Sequence, residues 1–305
     1  MALLKRKWVA GILAVTILLS LCACGKQDAP ATTATPTENT TEEVTTEVTT
    51  VPETTAETTV PETTVPETTA APQPTSPPPA ATAAPYVPIP MNGAVPESGR
   101  VSGSYFDDAV FVGDSVSLKL SYYEAAVDLL GGAQFLTSGS LGSGNALWDV
   151  SAESVHPTYQ GNKQLIEDSI AQMGAKKVYI MLGMNDIALY GIDTSVSNMV
   201  TLVNRIRAKS PGVAIYVQSM TPLTSTSNLL SSSGHNPNSV AKYNAKLLET
   251  ALAQGWYFVD VASVMTDANG YLFREYCSDP DNMGIHFTNT GCGVWIDYLC
   301  THTVG

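Results

Sequence analysis

The chain is poor in charge, poorer still in basic residues, and nearly bare of aromatic rings over its first third. Only 14% of its 305 residues are charged, and 15 Lys and Arg face 28 Asp and Glu, for a formal net charge of −13. Binding a phosphate backbone needs a basic face, so nucleic acid is excluded as a partner. The longest apolar run, Trp8 to Ala23, is about sixteen residues, fewer than the roughly 20 that cross a bilayer as a helix. All six Phe, and every Trp but Trp8, fall after position 100, so a packed core belongs to the later part of the chain. One globular domain is implied, with 18 acidic and 11 basic residues from Arg100 onward, a net of about −7.

The residues before that domain read as an address and a spacer. Lys5, Arg6 and Lys7 precede the apolar run in the order of a secretory signal. At its end, Leu21-Cys22-Ala23-Cys24-Gly25 resembles the bacterial lipobox. That likeness implies a signal peptide over 1–23, lipidation of Cys24, and attachment through the lipid to the extracytoplasmic face of the cell membrane; the plainer reading is a secretory peptide cut nearby. Residues 24–98 form a Thr/Pro/Glu-rich linker that repeats Val-Pro-Glu-Thr-Thr at Val51, Val60 and Val65. Such a segment buries too little to offset its ordering entropy and is expected to stay unfolded, a tether reaching between about 45 and about 200 Å. The domain is expected over 99–305. Three of the five cysteines, Cys277, Cys292 and Cys300, fall within it. An odd number permits one internal bridge; Cys277–Cys292 would close a loop of about sixteen residues, adding roughly 3 kcal/mol, and the alternative is buried or free thiols.

Within the domain, short apolar runs alternate with helical stretches. Ala109–Gly113, Ala133–Thr137, Lys177–Leu182, Val213–Gln218 and Trp256–Val261 read as strands. Helices are expected after the first strand to about Leu130, over Ser195–Ala208 and Ser239–Ala253, and finally over Thr288–Thr301. Five βα units imply a parallel sheet covered on both faces, with ligands at the carboxyl ends of the strands.

Three such ends carry reactive groups. Gly113-Asp114-Ser115 follows the first strand: glycine allows a sharp turn, and a hydroxyl at a helix start faces free backbone N–H groups, although Asp and Ser are also common caps. Gly183-Met184-Asn185-Asp186 follows the third and offers an amide donor. Gly284-Ile285-His286-Phe287-Thr288 puts a histidine just before the last helix. A serine hydroxyl needs a base to take its proton, and a histidine, with an unperturbed pKa near 6.5, can take and return it. His156, His235 and His302 lie in polar or terminal stretches and are expected at the surface.

From about Phe106 to Leu299 these blocks resemble the SGNH/GDSL hydrolases. The resemblance implies a three-layer α/β/α fold on a five-stranded parallel sheet, flavodoxin-like, and ester hydrolysis without a cofactor. It implies Ser115 as nucleophile, His286 as base, and oxyanion donors at the Ser115 N–H, the N–H of Gly139 or of Gly142, and the Asn185 amide. The family sets an aspartate three residues before the histidine, where this chain has Met283. Asp281 or Asp279 can replace it if the loop bulges, as can a backbone carbonyl; Asp281 is the favoured orienter.

The expected substrate is an ester, most plausibly the O-acetyl group of cell-wall or dietary polysaccharide, with Tyr190, Trp148 and Phe287 as candidate sugar-stacking rings. The alternatives are a lysophospholipase or broad esterase, and a surface-binding module that lost catalysis through Met283. Gly139-x-x-Gly142-x-Gly144 reverses the dinucleotide spacing and lacks a ribose-binding acid about twenty residues on. No His/Asp/Glu group has metal-ligand spacing.

Overall fold

A computed structural model describes residues 84–232 and 234–305. The expected signal peptide, with Cys22, the expected lipidation site Cys24, and the expected linker as far as residue 83 lie outside the described residues.

The regular elements are β1 (Ala109–Gly113), α1 (Ser115–Val127), β2 (Gln134–Thr137), a two-residue hairpin β3 (Thr158–Tyr159) and β4 (Asn162–Lys163), α2 (Ile166–Met173), β5 (Lys177–Met181), α3 (Ile187–Lys209), β6 (Ala214–Gln218), α4 (Leu229–Ser232), α5 (Pro237–Gln254), β7 (Tyr257–Val259) and α6 (Asn289–Thr301). β2, β1, β5, β6 and β7 lie side by side in that order, every neighbouring pair parallel. Helices α1 and α6 pack together on one face, and α2, α3 and α5 on the other. This is the three-layer α/β/α fold. The order reverses between β1 and β5, and the crevice at such a reversal is where ligands enter.

The apolar runs make strands because both faces are covered: all five residues of β1 are buried, and four of five in β5 and β6. One aromatic per strand lies in register across the sheet. Phe135, Phe111, Tyr179, Tyr216 and Tyr257 form a ladder with centroids 5.2, 4.8, 4.4 and 4.8 Å apart, stabilising the pairing through cross-strand ring contacts. Trp295 of α6 is fully buried and its indole N–H donates to Gln218 Oε1 at 2.8 Å.

The domain begins upstream of the expected boundary at 99. Residues 84–98 have no helix or strand but run as a strap along the β7 side. Val95 is buried and its N–H donates to Phe258 O at 2.8 Å, while Ser98 N–H donates to Thr301 O at 2.6 Å. Asn238 holds the other end, donating to Ala84 O and Pro85 O and accepting from Val87 N–H. Tyr86, Ile89, Met91 and Val95 supply the apolar contacts that the Thr/Pro/Glu tract lacks, and the strap shields a sheet edge. The final strand is also shorter than expected, since Val261–Val264 turn into a 3-10 helix.

Candidate active site

The N-terminus of α1 positions Ser115. Asp114 is its N-cap, accepting from Val116 N–H at 2.9 Å. Gly113 keeps ordinary β backbone; it is needed for room, because a Cβ there would fall 2.0 Å from Ser117 Oγ.

His286 reaches Ser115 from the loop before α6. Its Nε2 lies 3.0 Å from Ser115 Oγ, and its Nδ1 lies 2.7 Å from Asp279 Oδ2. Asp279 Oδ1 accepts from the N–H groups of Ile285 and His286 and from the Cys277 thiol, each at 3.1 Å. Burial pushes the Asp279 carboxyl up, but hydrogen bonds from His286 and Cys277 outweigh it and hold the pKa at about 2. An ionised carboxylate only accepts, so the ring proton sits on Nδ1 and the Nε2 lone pair accepts from the serine O–H.

Asp281, the expected orienter, does not approach the ring. It pairs at the surface with Arg274, whose Nη1 donates to Oδ1 at 2.8 Å. The loop bulges so that the carboxylate seven positions upstream fits instead. Gly284 makes this local path, with φ +70° and no space for a Cβ, which would lie 2.3 Å from Thr224 Oγ1.

The Asn185 amide stands at the β5 end of the crevice and donates to Leu141 O at 3.0 Å and to Asp114 Oδ2 at 3.2 Å. Asp186, next to it, accepts from the N–H groups of Ser143 at 2.8 Å and Gly144 at 3.0 Å, tying the β2 loop to the β5 end. In that loop Gly142 donates its N–H to Asn145 Oδ1, whereas Gly139 is exposed and its N–H has no protein partner among the described residues. Burial raises the pKa of both Asp114, to about 6, and Asp186. Asp114 reads from sequence only as a cap; its contact with Asn185 depends on β1 and β5 being neighbours, which no local pattern announces.

The other expectations divide. His156 and His235 are buried rather than on the surface: His156 Nδ1 contacts Ser154 Oγ and His235 Nε2 contacts Met184 O. Phe287 is fully buried, edge-on to Trp295, and unable to stack on a sugar; the Tyr190 ring fills the space left by Gly144, and Trp148 is exposed. Cys277, Cys292 and Cys300 are all free and buried, so the expected Cys277–Cys292 bridge is absent; Cys277 donates its S–H to Asp279 instead.

The model of the GDSL-like lipase/acylhydrolase family matches residues 111–293, well over half of the chain. The chain belongs to that family. It is accordingly a serine hydrolase of ester bonds. Among solved structures, a candidate acylhydrolase from Bacteroides fragilis aligns with a TM-score of 0.50 at 19% identity, over 67% of this chain and 88% of its own. A GDSL-like lipase from Bacteroides thetaiotaomicron aligns with a TM-score of 0.49 at 15% identity, over 64% and 87%. No curated protein matches. The GDSL-family match spans Ser115, Gly139 and Asn185 as well as His286, so all four belong to one family domain.

Proposed function

We propose that this protein is a lipid-anchored serine esterase on the extracytoplasmic face of the membrane, releasing acetyl groups from cell-wall or dietary polysaccharide. The observation that carries the catalytic part is the His286 ring between Ser115 Oγ at 3.0 Å and the Asp279 carboxylate at 2.7 Å. Ser115 Oγ attacks the ester carbonyl carbon while Nε2 takes the hydroxyl proton. The carbonyl oxygen becomes an anion and is met by the N–H groups of Ser115 and Gly139 and by the Asn185 amide, which gives up the longer of its two contacts, the one to Asp114. Nε2 then returns its proton to the departing alcohol oxygen, leaving acetyl-Ser115. Water, deprotonated by the same nitrogen, attacks that ester; Nε2 then gives the proton to Ser115 Oγ as its bond to the acetyl carbon breaks, freeing acetate and restoring the serine. Asp279 holds the ring in the required tautomer and stabilises the imidazolium.

The anchor and the carbohydrate rest on the leader, the lipobox-like Cys24 and the long tether.

The test is acetate release from a panel of acetylated polysaccharides, with Ser115→Ala alongside and an acyl-length series of p-nitrophenyl esters. Release by the wild type alone supports the reading; a long-chain optimum turns it toward a lysophospholipase. Mass spectrometry of the mature N-terminus checks the anchor, because an unmodified amine there rules it out.

A further inference from the structure

Ser115 and His286 lie in an open groove of about 450 Å³ between α1, which contributes Lys119 and Tyr122, and the start of α6, which contributes Thr288 and Asn289. Neither Gly139 nor Asn185 borders it. The groove therefore opens on the imidazole side of the serine, where the departing alcohol must receive its proton, and not on the side of the oxyanion donors. A second open cavity, about 550 Å³, continues along the same helix seam past Tyr123, Thr290, Gly293 and Asp297, and Asn289 lines both. From Ser115 to Tyr123 the seam runs for about 12 Å at the helical rise per residue, longer than one sugar ring.

We propose that the α1–α6 seam seats the backbone of the polysaccharide: the sugar bearing the ester lies at His286, and the following rings pass Tyr122 toward Gly293. Placing the first sugar rests on the esterase reading above. Three observations favour this occupant. Tyr122 is 65% exposed, a ring left in water beside the groove, and a flat aromatic face suits the C–H face of a pyranose. The seam offers donors and acceptors in a row, with the Asn289 amide held by Lys119 Nζ at 2.8 Å, then the Tyr123 and Thr290 hydroxyls and the Asp297 carboxylate, which match sugar hydroxyls and would leave an acyl chain poorly covered. Glycine inside a helix is destabilising by about 0.5–1 kcal/mol relative to alanine. No close packing requires Gly293, since a Cβ there would meet only Tyr123 Oη at 3.4 Å, an ordinary contact. Its missing side chain keeps the groove floor low.

The full-length protein is assayed on p-nitrophenyl acetate and on acetylated xylan, mannan and muramyl-glycan oligosaccharides, from monosaccharide to hexasaccharide, as wild type, Tyr122→Ala and Gly293→Trp. Calorimetry with the deacetylated oligosaccharides reads binding apart from catalysis. The expected result is a fall of about tenfold or more in kcat/KM on the longer chains relative to p-nitrophenyl acetate, through KM, with matching loss of product binding. An unchanged ratio in both variants overturns the seam as the glycan seat. So does a wild type that cleaves p-nitrophenyl acetate but neither binds nor deacetylates any glycan, and that result leaves the esterase reading standing. A wild type inert to every ester removes the esterase reading, and calorimetry then decides the seam: binding lost in Gly293→Trp supports it, and binding retained overturns it.

Discussion

His286 Nδ1 and Asp279 Oδ2 lie 2.7 Å apart although seven positions separate the residues, and Met283 fills the position where the family sets its acid. The longer loop carries its own supports, because two backbone N–H groups and the Cys277 thiol hold the second carboxylate oxygen. Asp279→Asn removes the charge that fixes the imidazole tautomer. Its kcat on p-nitrophenyl acetate is expected to fall by up to ~10⁴, the scale seen when the orienting acid of serine proteases is spoiled. Asp281→Ala breaks exposed contacts, chiefly the ion pair with Arg274, away from the imidazole and is expected to stay near wild-type rate. Equal losses in the two variants would remove Asp279 from its role.

Asn185→Ala deletes one of the proposed oxyanion donors and also takes the amide away from Leu141 O and Asp114. Turnover is expected to drop ~10²–10³-fold with a smaller change in KM, because the interaction is strongest in the transition state. Steady-state kinetics on one short ester, with a thermal melt showing the variant folded, makes the comparison.

A half-buried carboxyl, Asp279, and a buried one, Asp114, give stability opposite pH dependences. Asp279, held at about 2 in the fold against an ordinary 3.8, contributes stability that is present above the ordinary value and lost as pH falls through about 2. Asp114, raised to about 6 chiefly by burial, binds its proton more tightly folded than unfolded, so stability is highest below the ordinary value and declines as pH rises through about 6. Asp114→Asn keeps an oxygen for the Val116 N–H and removes the titration. It should flatten the decline between about pH 4 and about pH 6, a difference on the order of 3 kcal/mol at most. Thermal melts across that range test the sign: a wild type that gains stability with rising pH there contradicts the assignment.

The strands were legible where burial is complete, as in β1, because a two-sided core makes an unbroken apolar run; Ala109–Gly113 is read to the residue. Helix α3 was legible only from Ser195, because Gly191 interrupts it with φ 73° and ψ 170° and hides the turn beginning at Ile187. Helix α2 buries Ile166 and Ile170 one turn apart, but its eight residues are fewer than the window over which a helical period can be read. At the site, Ser115, His286 and Asn185 sit at strand or helix ends that the pattern marks. The choice between Asp279 and Asp281 turned on a loop bulge, and the burial of His156 and His235 on long-range packing. Neither is a local property of the chain.

The strap makes the expected boundary at 99 costly. Starting the chain at Gly99 removes buried Val95, its hydrogen bond to Phe258 O, and the Asn238 contacts with residues 84–87. Burying one Val side chain contributes roughly 1.5–3 kcal/mol, so this protein should unfold about 2–3 kcal/mol more easily than one starting at Ala84, as read by urea melts. Equal midpoints would mean that the strap adds no stability.

The three domain cysteines make the last test. Burial pushes the Cys277 thiol up to about 12 and the Cys292 thiol up to about 11, and raises Cys300 as well. Thiolate is the reactive form, so all three should resist a disulfide-exchange reagent at neutral pH and react together only on unfolding. A reductant should leave the melting temperature unchanged, because no bridge closes the loop around His286. Cys277→Ser keeps a donor for Asp279 Oδ1 and should retain most activity, whereas Cys277→Ala removes it and should lower kcat by severalfold. Rapid labelling of the folded protein, or a melting temperature that falls with reductant, would contradict free buried thiols at these positions.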